Sequence, residues 1–442
     1  MIIDIAVCFA GILAVLLLLR RDKLSVGLPL AYLALLLLIH VPGAIAQVVG
    51  RQWLEGYEIT EVGLRYTAIG VVCFTLGVWL ARQGVRQRLE AVAADRRRFA
   101  IYCLAAGWAT LVFLAPFSRI PSIGAAINSG AAIWMLGVLV ALRYAVGSGN
   151  ISRVLGWSGA LAVYPALMLL VGGFMSYGAS AVTIVLSVLP VVARTVARAT
   201  VGILIAGFFG LTIFVNYFEH RDNIRESIWG GASMEDRIGS VLGMFNQFHV
   251  PDLSSKEDLN SLNTRLNQNL FVGLAAERLQ EGATPYLDGE TIVDSVIYLV
   301  PRAVWPDKPA TGGSGDLVAR TTGLQLNEDT SWGVGNVLEF YINFGLAGII
   351  IGFGFMGWLI GALDLRAAIA ERQADFKGLL IYFLPGVALV QPGSSLSETA
   401  GAAVAAVVAA IAWQQGWNYL QSRLAGQERT AAAAAARSRS PA

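Results

Sequence analysis

Long uninterrupted apolar runs dominate this chain, in place of the alternation of a half-buried strand or the one-sided stripe of a surface helix. Eleven recur, at 2–19, 25–44, 64–81, 99–117, 123–142, 154–172, 177–193, 200–217, 337–361, 378–392 and 396–414. A helix rises about 1.5 Å per residue, so about 20 apolar residues cross a hydrocarbon core of about 30 Å. The pattern therefore predicts an all-α polytopic membrane protein with about eleven transmembrane helices. The tenth run is the shortest and carries Pro385. The pattern lapses over 218–336, where helical apolar spacing at Leu266, Leu270, Val272, Leu274, Ala275 and Leu279 predicts an amphipathic helix over 266–280. A second over 291–300 is expected to lie on the membrane surface. Four regions follow: a transmembrane bundle of about eight helices (1–217), a partly helical loop or cap (218–336), about three further transmembrane helices (337–415) and a disordered tail (416–442).

Composition agrees, with 56% hydrophobic and 14% charged residues and a mean hydropathy of +0.61. Too little polar surface remains to clothe a water-soluble globule. Basic residues fall on alternate short loops and the tail, which together hold 20 of the 32, including Arg20, Arg21, Lys23, Arg96 to Arg98, Arg366 and Lys377. The retention of such residues in the cytoplasm predicts a bacterial inner-membrane protein with a periplasmic amino terminus and a cytoplasmic carboxyl terminus. The long loop is then periplasmic. The positive cluster follows the first run, which suits a retained helix better than a cleaved signal peptide. Cys8, Cys73 and Cys103 all lie within apolar runs and suggest neither a disulfide framework nor a thiolate metal site.

The long segment changes the picture, because it holds 17 acidic against 9 basic residues, a net charge of −8, while the remaining chain carries +10. Any anion site in it must be local. Three clusters stand out. In Asn216-Tyr217-Phe218-Glu219-His220-Arg221-Asp222-Asn223-Ile224-Arg225, helical spacing puts Arg221 and Arg225 on one face beside His220, a pair suited to the oxygens of a diphosphate. The bland alternative is a surface pair of Asp222 with Arg225, which contributes little. In the run from Pro301 through Arg302, Trp305, Pro306, Asp307 and Lys308 to Pro309, three prolines stiffen a basic and aromatic stretch, either to present Arg302 and Lys308 or simply to turn against lipid phosphates, with Trp305 as interfacial anchor. At 335–348, Asn336, Glu339 and Asn343 share a helical face beside Tyr341, and Glu339 is either a functional acid–base group or a helix-dipole partner. Glu398, three residues after Ser395, fits a capping box. His40 reads as a helix-end residue, and His249 as a further proton acceptor. No metal-ligand spacing is present, and neither a metal nor another cofactor is expected.

The Pro301–Pro309 and Glu339–Gly348 stretches resemble the bacterial Wzy-type O-antigen and exopolysaccharide repeat-unit polymerases. The likeness covers the topology of many spans with one large late periplasmic loop, and at residue level rests on 216–225 and 301–348. It implies a GT-C-like, metal-independent inverting glycosyltransferase that joins undecaprenyl-diphosphate-linked oligosaccharide repeat units. Arg221, Arg225, Arg302 and Lys308 would then hold the departing diphosphate. One of Glu339, His220 and His249 would take the hydroxyl proton, with Tyr341, Asn343 and Trp305 contacting substrate. The implied partners are lipid-linked glycans, membrane lipids, a chain-length regulator and a flippase, and no nucleic acid. The rival readings are an O-antigen ligase acting on lipid A-core, a lipid-linked oligosaccharide transporter, and a structural member of an export complex.

Overall fold

The computed structural model describes residues 1–83, 96–114, 117, 123–172, 182–188, 191, 193, 195–300, 304–305, 307–308, 314–325 and 333–438. Among these the chain is helical, with no strand. In chain order the helices are α1 (Ile2–Asp22), α2 (Leu28–Val49), α3 (Tyr57–Ala81), α4 (Arg96–Ala109) with a short π-helical continuation (Thr110–Leu114), α5 (Ile123–Ala131), α6 (Ile133–Gly147), α7 (Ile151–Gly172) and α8 (Val196–Trp229). Within the long segment come α9 (Met234–Asn246), α10 (Lys256–Arg265), α11 (Asn269–Gln280), α12 (Glu290–Tyr298) and α13 (Ser314–Thr322). The chain then closes with α14 (Asn336–Arg372), α15 (Phe376–Leu389) and α16 (Leu396–Ser438).

Eight helical stretches among the described residues are long and apolar enough to cross a membrane: Ile2–Asp22, Leu28–Val49, Tyr57–Ala81, Arg96–Leu114, Gly124–Gly147, Val196–Ile228, Asn336–Arg372 and Leu396–Gln427. The chain is thus a helical membrane protein. The expected run at 378–392 becomes α15, 14 residues long with Pro385 inside it. Eight of the 17 residues of the run at 177–193 lie outside the described residues. The expected disordered tail is instead helical as far as Ser438, in keeping with the high helix propensity of its alanines.

The packing centre is α14 against α3, and it depends on small residues. A Cβ at Gly77 would lie 2.2 Å from the Gly354 carbonyl oxygen, and one at Gly357 only 2.1 Å from that of Phe74. Backbones can approach this closely only where both helices present glycine. At the opposite end of these helices from the long segment, buried Asp364 of α14 accepts from the Ser25 hydroxyl (3.1 Å) and from the Val26 and Leu28 amides (3.0 and 3.1 Å). Arg82 reaches the same carboxylate, together with Asp22 and the Leu24 carbonyl. One ion-pair knot therefore fastens the α1–α2 turn, the end of α3 and α14.

The segment that the hydropathy pattern sets apart is not a detached cap. Its helix over 266–280 forms as α11, but the apolar face meets the bundle. A Cβ at Gly63 of α3 would lie 2.0 Å from the Asn269 carbonyl oxygen, and one at Gly273 would lie 2.0 Å from that of Ile59. Asn269 Nδ2 donates to the His40 carbonyl (2.7 Å), Asn267 Nδ2 to Thr60 (3.0 Å), and the Thr67 hydroxyl to Asn269 Oδ1 (3.0 Å). His40, expected at a helix end, is buried within α2 with Nδ1 2.7 Å from Asn269 Oδ1. The physical reason is satisfaction: polar side chains in an apolar bundle need partners, and the loop supplies them.

Candidate functional site

The expected site residues fall into two groups. The first lies at the end of α8. Thr195 caps that helix at its start, and the stretch Ala199–Phe218 that follows contains no Asp, Glu, Lys or Arg. Polarity then begins abruptly with Glu219, His220 and Arg221. Where the bland alternative paired Asp222 with Arg225, Asp222 Oδ1 accepts from Arg221 Nε, at 3.1 Å. A third guanidinium, absent from the sequence reading, joins from α10. Arg265 lies over the Phe218 ring at 5.4 Å and Arg221 over the same ring at 5.6 Å. Burial, and then the neighbouring Arg221 and Arg225, hold the Arg265 guanidinium below its ordinary value, with Asp222 acting in the other direction. Phe214, Phe218, Glu219, Asp222, Ser261 and Arg265 line a recess of about 190 Å³ beside them.

Both histidines of the long segment are fixed at this place. Buried Asn216 grips the backbone of His249 in both directions: Asn216 Nδ2 donates to its carbonyl (2.7 Å), and its amide donates to Asn216 Oδ1 (3.0 Å). The imidazole sits between two carboxylates, Nδ1 3.7 Å from Glu219 Oε2 and Nε2 3.6 Å from Asp258 Oδ2. His220 lies beside it, with Nδ1 2.9 Å from the Asn216 carbonyl oxygen and Nε2 3.0 Å from Gln247 Oε1. Ligand atoms of Glu219, His249 and Asp258 lie within 4.8 Å of one another. Two ligands of one small divalent ion at about 2.1 Å each stand no more than about 4.2 Å apart, and the ring nitrogens face separate carboxylates. The trio would have to close up to hold one cation; as it stands it is an imidazole flanked by acids.

The second group surrounds the start of α14, where most side chains are already engaged in the fold. Glu339 is 1% exposed, and its Oε2 accepts from the Leu396 amide at 2.7 Å, which makes it a cap on the first turn of α16. The capping box read from Ser395 and Glu398 forms beside it, with 3.2 Å bonds in both directions. Asn343 Nδ2 donates to Thr291 Oγ1 (2.8 Å) and to the Glu339 carbonyl (2.7 Å), while its Oδ1 accepts from the Gly289 amide (3.0 Å). Tyr341 is buried with its hydroxyl 3.3 Å from that of Tyr66, and Gln280 Nε2 donates to it at 3.2 Å. Lys308 Nζ donates to the Val300 carbonyl (3.0 Å) above the Tyr298 ring (4.3 Å), and Trp305 is exposed. Arg302 and the prolines at 301, 306 and 309 lie outside the described residues.

A break inside α14 explains why this second group is so interlocked. Phe344 and Gly345 leave helical geometry, and Gly345 takes φ 58° and ψ −139°, a region open to glycine alone. The Ile342 carbonyl oxygen released by the break accepts from the Leu287 amide at 2.9 Å. The segment before α12 therefore fills the bonding left open by the break.

Taken together, these features define a helical membrane protein with a small recess, lined by Arg265, Glu219 and Asp222 and flanked by Arg221, where one long helix leaves its charge-free stretch. The chain belongs to a family described as a domain of unknown function, DUF8712, whose model matches residues 53–372, from just before α3 to the end of α14. No curated protein and no solved structure matches it.

Arg265, Glu219 and Asp258 are the participants that sequence reasoning missed. Arg265 is 40 positions from Arg225, so no local spacing could connect them. Its one available signal was a basic residue closing the last turn of a helix whose first turn carries Glu257 and Asp258, where it complements the helix dipole.

Proposed function

We propose that the protein is a membrane glycosyltransferase that joins oligosaccharide repeat units carried on undecaprenyl diphosphate, working on the outer face of a bacterial inner membrane by metal-independent inverting transfer. The observation that carries the reading is the placing of Arg221 and Arg265 over Phe218, with Arg225 electrostatically close to Arg265, at the edge of a membrane-spanning stretch. Guanidiniums there suit a diphosphate whose lipid tail remains in the bilayer, and they stabilise charge as it develops on the leaving group. Arg302 and Lys308 would extend the same role from the second cluster. Of the three candidate bases, His249 has the best surroundings, because a flanking carboxylate orients the ring while the other nitrogen takes the acceptor proton. Glu339 is committed to the Leu396 amide, and Tyr341, Asn343 and Trp305 would border the acceptor sugar.

The transporter reading draws on the break in α14, since broken helices often mark transport sites. Here the freed carbonyl is bonded within the chain, which leaves it no substrate to coordinate. The deciding experiment supplies purified protein in lipid with a synthetic undecaprenyl-diphosphate repeat unit and no added metal. A product ladder is expected, reduced to single units by Arg221→Ala or Arg265→Ala at unchanged helical content. Transfer only onto lipid A-core would make the protein a ligase instead, and uptake of lipid-linked unit without elongation would make it a transporter.

A further inference from the structure

The hairpin made by α8 and α9 has an apolar end that stands exposed among the described residues. Four contacts fix its direction. Val241 and Met244 of α9 pack with Tyr217, Phe218, Ile224 and Ile228 of α8. Gln247 meets His220, and His249 is clamped by Asn216. α9 therefore starts beside the far end of α8, near Trp229, and returns antiparallel to the level of Asn216.

That level has a depth. The 20 charge-free residues Ala199–Phe218 form about 30 Å of helix, which is the thickness of a hydrocarbon core. Asn216 lies two residues inside their outer limit, about 3 Å within the boundary. The residues of the returning strand follow the same depth scale. Glu235, Asp236 and Arg237 stand at the far end of the hairpin, whereas 238–251 contain no Asp, Glu, Lys or Arg, and charge resumes at Asp252. Within that interval Leu242, Phe245, Phe248 and Val250 are 56, 54, 38 and 54% exposed, and the two phenylalanine rings stack with centroids 6.2 Å apart. This patch continues the lipid-facing side of α8, where Leu204, Phe208 and Ile213 are likewise exposed.

We infer that the α9 end of this hairpin is a monotopic wedge, with Phe245, Phe248 and Val250 buried in lipid at the membrane boundary and Leu242, about 7 Å further out than Gln247 along α9, among the headgroups. Bilayer lipid is the occupant, because the patch lies at the depth of the boundary and merges with a helix face that already meets lipid. The inference does not depend on the proposed glycosyl transfer or on which face of the membrane is outside. One consequence is positional: the wedge holds His249 and the Arg221–Arg265 recess at headgroup level.

The test uses the full-length protein with Cys8, Cys73 and Cys103 replaced by alanine, at one copy per lipid nanodisc. Nitroxide labels are placed through Glu235→Cys, Leu242→Cys, Phe245→Cys and Phe248→Cys. At 245 and 248, collision with dissolved oxygen is expected to exceed collision with a water-soluble nickel chelate, and 242 should fall between these positions and 235. At 235 the order should reverse. Chelate accessibility at 245 and 248 equal to that at 235 would overturn the inference. So would low accessibility to both probes, which would mean that protein covers the patch. Hydroxyl-radical footprinting of the unaltered protein in the same discs covers the case of a misfolded variant: Phe245 and Phe248 should be protected while exposed Met234 is oxidised, and the opposite order sinks the idea.

Discussion

Arg265→Gln separates a functional arginine cluster from a merely structural one. Two guanidiniums over one aromatic ring repel each other in the absence of an anion, and Arg265 is already held below its ordinary value by burial and by Arg221 and Arg225. Glutamine keeps most of the side-chain stem against Phe218 while removing the charge. Unliganded protein should therefore melt at the same temperature as wild type or slightly higher. The ligand-bound state should lose one charge-assisted bond, about 1.5–3 kcal/mol, which is about a 10- to 150-fold weaker dissociation constant. Titration of a short-chain polyprenyl diphosphate into protein in nanodiscs, followed by calorimetry, gives both quantities in one preparation. Raising salt should weaken wild type more steeply than the variant, since fewer charges remain to be screened. Arg265→Lys should fall between the two, because it keeps the charge and loses the fork. A variant that melts lower than wild type yet binds as tightly would refute the reasoning and return Arg265 to a packing role.

Three further outcomes are expected from the same geometry. Glu339→Gln should retain both fold and turnover, because the amide oxygen can still accept from Leu396, whereas Glu339→Ala orphans that amide and should cost about 1–3 kcal/mol; loss of turnover in a fully folded Glu339→Gln protein would reinstate this residue as the base. Arg82→Met strands the buried Asp364 carboxylate and should cost about 3–5 kcal/mol in reversible unfolding, with partial recovery on adding Asp364→Asn, whose oxygen still accepts from the Val26 and Leu28 amides. Gly63→Ala sets a methyl group against the Asn269 carbonyl oxygen and should cost about 1–3 kcal/mol, visible as faster proteolysis within α11.

The apolar runs were readable because bilayer thickness imposes a length on each helix, and a run of 20 uncharged residues records that length directly. The boundary of α8 at Glu219 and the Ser395–Glu398 box were readable for the same reason, since each is local in sequence. What remained hidden depends on partners distant in the chain. Arg265 joins Arg221 only after α10 returns to the end of α8. His249 acquires two acidic neighbours, from α8 and α10, that no spacing rule could join. Glu339 read as either an acid–base group or a helix-dipole partner, and the Leu396 amide that it accepts from lies 57 residues away. The amphipathic reading of 266–280 found the helix and missed its destination, because an apolar face matches a lipid surface and a glycine-lined groove equally well.

The seating of α11 between glycines of α2 and α3 has a consequence for biogenesis. A Cβ at Gly43 would lie 2.2 Å from that of Asn267, as Gly63 does with Asn269, so these two helices cannot reach their final spacing until residues 267–280 arrive. About 200 residues separate the end of α3 from the end of α11, and at about 5–20 residues per second they take about 10–40 s to synthesise. During that interval Thr67 has the Gly63 carbonyl and His40 for partners, but both side chains lack Asn269, and Thr60 lacks Asn267. The long segment acts as a keystone for α2 and α3, fitted long after both are made and before α14 follows it.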